Sequence, residues 1–268
     1  MRYFIHLSYR GTNYRGWQTQ TEKIPTVQII IEKALSSIFK TPIYVIGCGR
    51  TDAEVHASQY FAHFDTEIKW DFDLIFRLNK VLPNDISVHD IIPVEKRQHA
   101  RFDARRRSYD YFIHTVKNPF LNHFSTMLYE EDKLDIELMS EAVNLIKQQK
   151  DFAAFCITPD AHKSTECLIF NVELYTNQDN TKIRFHIEAN HFLRGMIRIL
   201  VGYLLNIGSK KITMDYFESL FISKQTPKRF DVAPPQGLFL TKVEYPFLKL
   251  PMNDIFFGQK DEAWIKRN

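Results

Sequence analysis

Apolar and polar residues alternate from Arg2 to Tyr9, with Tyr3, Ile5, Leu7 and Tyr9 on one face, the period of a strand. Thr26 then stands where a helix can be capped, ahead of Val27, Ile30, Ile31, Ala34, Leu35 and Ile38 at helical spacing. Pro42 ends that helix, and the β-branched run Ile43-Tyr44-Val45-Ile46 predicts a second strand. Gln59 to Phe64 reads as a third. Phe72 to Leu82 reads as a short helix with Leu74, Ile75, Leu78 and Leu82 inward. The turn Pro83-Asn84-Asp85 leads into a strand from Ile86 to Val94.

The same grammar returns in the second half. Ser108 to Val116 predicts a strand and Leu134 to Gln148 a helix, with Ile136, Met139, Ala142, Val143 and Ile146 apolar. Leu168 to Tyr175 and Lys182 to Ala189 alternate cleanly and form a hairpin around Asn177-Gln178-Asp179-Asn180. A helix from His191 to Ile207, a short helix near Met214 to Ile222 and a last strand, Leu238 to Tyr245, complete the pattern. Both halves read βαββαβ, the ferredoxin-like split unit, the second with one extra helix. The expected fold is therefore α+β, with two ferredoxin-like halves (1–105 and 106–246) joined through a shared antiparallel sheet with a central basic cleft. Residues 247–268 read as a loose C-terminal extension.

Two loops break the regular pattern. Gly11-Thr12-Asn13-Tyr14-Arg15-Gly16-Trp17-Gln18 is punctuated by glycines and presents aromatics. Gly47 to Ala57, GCGRTDAEVHA, follows an apolar run and carries Arg50, Thr51 and Asp52 where a strand should have ended. Loops held by a rigid sheet tend to carry function. A plain turn, in which Asp52 accepts backbone N–H bonds, accounts for the same residues. A dinucleotide-binding reading fails, because the third glycine of G-x-G-x-x-G would fall on Asp52.

Composition narrows the class only modestly. The chain has 268 residues, 44% hydrophobic and 25% charged, with a net charge of +3. Any nucleic-acid surface must therefore come from segregated charge. The three cysteines, Cys48, Cys156 and Cys167, lie far apart, which argues against a disulfide framework or zinc site and suits a reducing cytoplasm. No apolar leader opens the sequence. The apolar stretch near 192–207 is interrupted by Arg194 and Arg198 and is too short to span a bilayer, so no membrane association is expected.

Charge is concentrated in one window, Lys96 to Arg107, where seven of twelve residues are Lys, Arg or His. It reads either as a solvated linker or as a phosphate-tracking stripe through Arg101, Arg105, Arg106 and Arg107, since arginine supplies bidentate donors and neighbouring aromatics stack on bases. In the helix expected from His191, the spacing of His191, Arg194 and Arg198 puts all three on one face of an apolar cylinder. A cation there needs an anionic partner.

These stretches together resemble the TruA-type tRNA pseudouridine synthases. The carriers are the Y-x-G-x-x-Y-x-G-W-Q opening, GRTDA-x-VHA at 49–57, N-x-x-L-P-x-D-I from Asn79, and H-A-R-F-x-A with R-x-Y-x-Y from His99 to Tyr111. D-F-x-x-F from Asp151, F-L-x-x-M-I-R from Phe192 and A-P-x-x-G-L-x-L from Ala233 complete them. The resemblance implies Asp52 as the catalytic carboxylate, Arg198 as its ion-pair partner and Tyr109 as the active-site tyrosine stacking on uracil. It also implies Arg50 gripping a phosphate or entering the vacated stack, and Leu238 walling the pocket. The implied reaction is isomerisation of uridine to pseudouridine at positions 38–40 of the tRNA anticodon stem-loop, by a cytoplasmic homodimer that also grips the elbow. Breaking N1–C1′, turning the base and rejoining at C5 requires no redox change and no cofactor. Two alternatives stay open: a non-catalytic tRNA-binding or folding protein on this scaffold, and a paralogue acting on another RNA. One position departs from the signature, with Glu54 replacing glycine; ordinary negative φ is expected there.

Overall fold

The computed structural model describes residues 1–21, 23–129, 134–227, 229, 231–248, 250 and 264–268. The chain divides into two compact units, one holding Met1–Arg105 with residues 239–248, the other Arg106–Leu238 with residues 264–268. Each is a mixed α+β unit with a mostly antiparallel sheet.

In the first unit β1 (Arg2–Tyr9) lies between β3 (His56–Asp65) and β4 (Ile86–Val94), antiparallel to both. Phe4, Ile5, His6 and Leu7 are all buried, so this strand is covered on both faces rather than one. The second strand, β2, is only Ile46–Gly47, paired to His63 and Ala62 of β3; Ile43 to Val45 run into it as irregular chain. Helix α1 (Val27–Phe39) buries Val27, Ile29, Ile31, Ala34, Leu35 and Phe39. Thr26 precedes it in extended conformation but makes no side-chain cap, because the buried hydroxyl faces that of Thr19 at 3.4 Å instead. Helix α2 (Leu74–Val81) is capped by Asp73, whose carboxylate accepts from the Phe76 N–H at 2.9 Å. Asn79 pins α2 to β4 through both hydrogen bonds of Val88, each 2.8 Å. The strand β9 (Leu238–Glu244) runs parallel to β3, with Phe239 opposite His56 and Leu240 opposite Ala57.

In the second unit β8 (Lys182–Ala189) lies between β5 (Arg106–His114) and β7 (Ile169–Thr176), antiparallel to both, with Tyr109 opposite Ile187. A two-residue strand, β6 (Thr126–Met127), extends it beside β5. Helices α3 (Ile136–Gln148), α4 (Met196–Gly208) and α5 (Met214–Ser223) supply its apolar cover. The expected helix from His191 begins five residues late, at Met196, because Gly195 sits in left-handed conformation (φ 76°) at its N-terminus. His191 and Arg194 therefore precede the helix and do not share a face with Arg198.

The expectation of a loose C-terminal extension also fails where the chain is described. Strand β10 (Ile265–Lys266) pairs with Thr176 and Tyr175 of β7, and Ser140 of α3 donates to the Arg267 carbonyl at 2.6 Å. Most of that extension lies outside the described residues. Among the described residues, no helix is long and apolar enough to cross a membrane.

Candidate active site

The loop bearing Asp52 is built from residues that its neighbours hold at many points. Upstream, the Cys48 N–H donates to the Phe61 carbonyl at 2.8 Å and the Tyr60 hydroxyl donates to the Gly49 carbonyl at 2.5 Å. Thr51 is buried: its hydroxyl lies 2.8 Å from that of Tyr9, and its carbonyl accepts from the Trp17 N–H at 3.2 Å. Downstream, the Glu54 N–H donates to the Tyr14 carbonyl at 3.2 Å, and the Val55 N–H returns to the Asp52 carbonyl at 3.3 Å. His56 is buried against the Phe239 ring and accepts from the Gly11 N–H through Nδ1 at 2.9 Å, so the neutral ring carries its proton on Nε2. Between the buried anchors Thr51 and Val55, the Asp52 side chain is exposed, as is Arg50.

The glycine-punctuated loop is the clamp for this turn. A Cβ on Gly11 would stand 2.0 Å from the Val55 carbonyl oxygen, and one on Gly16 (φ 89°) 2.4 Å from that of Thr51. Only glycine lets the two backbones approach so closely. The clamp is itself tied down by Asp85. Its carboxylate accepts a short hydrogen bond from the Tyr14 hydroxyl and another from Asn13 at 2.9 Å, while its carbonyl accepts from the Arg10 N–H at 2.8 Å. Burial and the Asp85 carboxylate hold the Tyr14 phenol well above the usual tyrosine range. The sequence pattern alone marks Gly11 to Gln18 as a glycine-punctuated loop and Asp85 as a turn residue. The pairing signal, two glycines and a tyrosine before and an aspartate after, is visible only once β1 and β4 lie side by side.

Glu54 corrects the expectation of negative φ: its φ is 66°, in the left-handed region. The hydrogen bond from its N–H to Tyr14 and the return of Val55 onto Asp52 impose that turn on whatever residue occupies the position. Glutamate stands there against a steric preference of roughly 1–2 kcal/mol.

In the second unit the segment from Ala233 to Leu238 is bonded to Arg198 and Tyr111. Arg198, in the first turn of α4, donates its Nε to the Ala233 carbonyl at 2.7 Å and accepts the Ala233 N–H at 3.0 Å. The Tyr111 hydroxyl donates to the Pro234 carbonyl at 2.7 Å and lies 2.6 Å from the Thr126 hydroxyl. Burial pushes that phenol far up, and the Thr126 hydrogen bond and then the Arg198 charge oppose the shift only in part. Tyr109, two residues earlier on the same face of β5, is 9% exposed and meets the Phe192 ring edge-on at 5.2 Å. Leu238 is buried.

The basic window divides between the two units. Residues 96–105 form a turn in the first unit, with Arg101 and Arg105 exposed. Arg106 and Arg107 already belong to β5. Arg106 pairs with Glu188 at 3.2 Å and stacks over Phe170 at 4.2 Å, and Arg107 donates to the Asn190 carbonyl at 3.0 Å. Beneath them Asp110 is buried between Arg184 (2.6 Å) and His186 (2.9 Å). Burial alone would raise its carboxyl, and the contacts with His186 and Arg184 outweigh that and hold it low.

Comparison with known proteins agrees with these motifs. A family model described as tRNA pseudouridine synthase matches residues 149–246. The tRNA pseudouridine synthase A of Parabacteroides distasonis is 41% identical over 257 residues, covering 94% of this chain and 99% of that protein. Its counterpart from Bacteroides fragilis is 41% identical, covering 91% and 96%, and that from Thermodesulfovibrio yellowstonii 37%, covering 89% and 97%. On these matches the chain is a pseudouridine synthase by class, an isomerase, and it belongs to the tRNA pseudouridine synthase A family. Relatives named for the reaction do not favour the alternative of a non-catalytic binding protein.

Proposed function

We propose that this chain converts uridine to pseudouridine at positions 38–40 of the tRNA anticodon stem-loop, with Asp52 as the reacting carboxylate. The observation that carries the reading is an exposed aspartate on a loop fixed on both sides. A carboxylate already held in place pays little reorganisation when substrate arrives. The target uridine leaves its stack, at a cost of a few kcal/mol, and Tyr109 receives the uracil face. Asp52 acts on the ribose C1′ or the base as nucleophile or as base, N1–C1′ breaks, and C5–C1′ forms. The C5 proton leaves and N1 gains one, so the product is an isomer of the substrate. Arg198 serves as counter-charge to Asp52, keeping it ionised once the base excludes water. Arg50 and Arg101 meet phosphates, with Arg105, Arg106 and Arg107 supplying further positive charge, and Leu238 walls the pocket.

The two α+β units are each read as ferredoxin-like, meeting in a shared sheet with a basic cleft, and the working form as a cytoplasmic homodimer spanning anticodon arm and elbow. The decisive experiment maps pseudouridine in the tRNA of a strain lacking this gene, complemented with wild type or Asp52→Asn. Wild type is expected to restore modification at 38–40, and Asp52→Asn to restore none while binding tRNA within about a few-fold, because phosphate contacts dominate affinity. Pseudouridine made by Asp52→Asn removes Asp52 from the mechanism. A monomer in sedimentation, active on full-length tRNA, removes the dimer.

A further inference from the structure

Phe102 is 74% exposed at the tip of a turn that is otherwise tightly bolted down. Ala100, two residues before it, is fully buried: its N–H donates to His63 Nδ1 at 3.1 Å and its carbonyl accepts from the Tyr245 hydroxyl at 2.5 Å. The His99 N–H donates to Asp103 Oδ2 at 2.7 Å, and the Asp103 N–H returns to the His99 carbonyl at 3.1 Å. His99 Nδ1 accepts from the N–H groups of both Arg101 (3.0 Å) and Phe102 (3.3 Å). The Arg105 N–H closes the turn on the Glu244 carbonyl at 2.8 Å. On this mount the Phe102 ring leans on the His99 ring, centroids 4.3 Å apart, and the exposed Arg101 guanidinium stands 5.8 Å from its centroid.

The fold gains little from leaving a phenyl ring in water, since Ala100 with its two partners, His63 and Tyr245, already anchors the turn. A ring backed by one π-surface, flanked by a guanidinium and denied freedom by its backbone offers its other face at low entropic cost. Unpaired RNA bases are recognised on such surfaces, stacked on aromatics while neighbouring arginines take the phosphate. We propose that Phe102 is a stacking platform for an unpaired nucleobase in the loop of the substrate RNA, with Arg101 on the adjoining phosphate. His99 acts through Phe102 and is a positioning residue. The proposal rests on the reading of the chain as a tRNA-modifying enzyme and adds a base contact outside the reacting pocket.

The test is binding of the full chain to a labelled anticodon stem-loop and to a fully paired RNA duplex of equal length, followed by anisotropy. Phe102→Ala is expected to weaken stem-loop binding about tenfold and to leave duplex binding within about twofold, with unchanged thermal unfolding. Its salt dependence should keep the wild-type slope, whereas Arg101→Ala should reduce that slope by about one phosphate. Phe102→Trp should restore stem-loop affinity. Equal loss on both RNAs, or no loss on either, overturns the platform. A Phe102→Ala change in sedimentation alone also overturns it, since the ring then belongs to a contact between copies. Pseudouridine formation by the wild-type chain is scored separately. An active wild type with an indifferent Phe102→Ala sinks the platform alone, and an inactive wild type with a stem-loop-selective loss sinks the catalytic reading alone.

Discussion

The Tyr14 hydroxyl donates a hydrogen bond to the carboxylate of Asp85, and its carbonyl accepts one from the N–H of Glu54. One buried residue thus links the start of β4 to the turn that presents Asp52. Asp85→Ala strands the Tyr14 hydroxyl and frees the clamp. It should cost about 1.5–3 kcal/mol of stability, the usual worth of a hydrogen bond to a charged group. Turnover should fall on the order of 100-fold, because ångström-scale misplacement of a reacting group has that price. Tyr14→Phe should act in the same direction, and the two losses should not add in a double-mutant cycle. Additive effects would show that the two residues serve separate ends.

Glu54 invites the opposite kind of change. At φ 66° glycine has no steric penalty, so Glu54→Gly is expected to raise stability by up to about 1 kcal/mol, read as a higher urea midpoint at unchanged slope. The added freedom of the unfolded glycine offsets part of that gain. Affinity for tRNA should change less than about tenfold, or ~1.4 kcal/mol. A destabilised Glu54→Gly protein would mean that the glutamate side chain compensates for its backbone.

The contrast between Asp52 and its supports explains what was readable in advance. Asp52, Tyr109 and Arg198 are proposed from short contiguous motifs, and strand β8 follows strict alternation, so local sequence sufficed to predict that element. The clamp was not readable, because it depends on residues far apart in sequence, such as Tyr9 with Thr51, 42 positions on, and Asn13 with Asp85, 72 positions on. The start of α4 was misjudged because an apolar, helix-periodic run continues upstream through Phe192 and Leu193 while Gly195 turns left-handed. Strand β10 was missed because two residues carry no period; its hold comes from Arg267 and Asn268 reaching Thr176 and Leu174 at 2.7 Å each.

Arg198→Leu separates the structural from the chemical use of that arginine. The variant loses the Nε bond to the Ala233 carbonyl and leaves a buried acceptor unpaired, so a stability loss of about 1–3 kcal/mol is expected rather than neutrality. Single-turnover pseudouridine formation should fall by at least about 100-fold, beyond what partial unfolding explains, if Arg198 is the counter-charge of Asp52. Arg198→Lys keeps the charge but not the planar donor and should recover part of the rate. A folded Arg198→Leu protein with wild-type turnover would end its catalytic assignment.

His63 makes the basic turn sensitive to acid. Burial, then the charges of Arg2 and His99, depress its pKa to about 4, with Asp65 opposing, and its Nδ1 accepts the Ala100 N–H only while unprotonated. The Phe4 ring stacks against it at 5.9 Å and offers no charge. In the unfolded chain the same ring titrates near 6.5. Between these values the unfolded state binds the extra proton, so unfolding free energy rises with pH across that window and falls on acidification. Below about 4 both states are protonated and the contribution stops changing. His89, His99, His114 and His191 are also depressed by burial and push the same way, so the His63 share needs a variant. His63→Asn keeps an acceptor near the Nδ1 position without a titrating group. Urea midpoints from pH 7 to 4.5 should therefore fall less steeply for His63→Asn than for wild type, although the variant starts lower at pH 7 because the smaller side chain underfills its site. Parallel pH profiles for the two proteins would mean that His63 gains its proton as easily folded as unfolded, and that the anchor of Ala100 does not depend on its neutral ring.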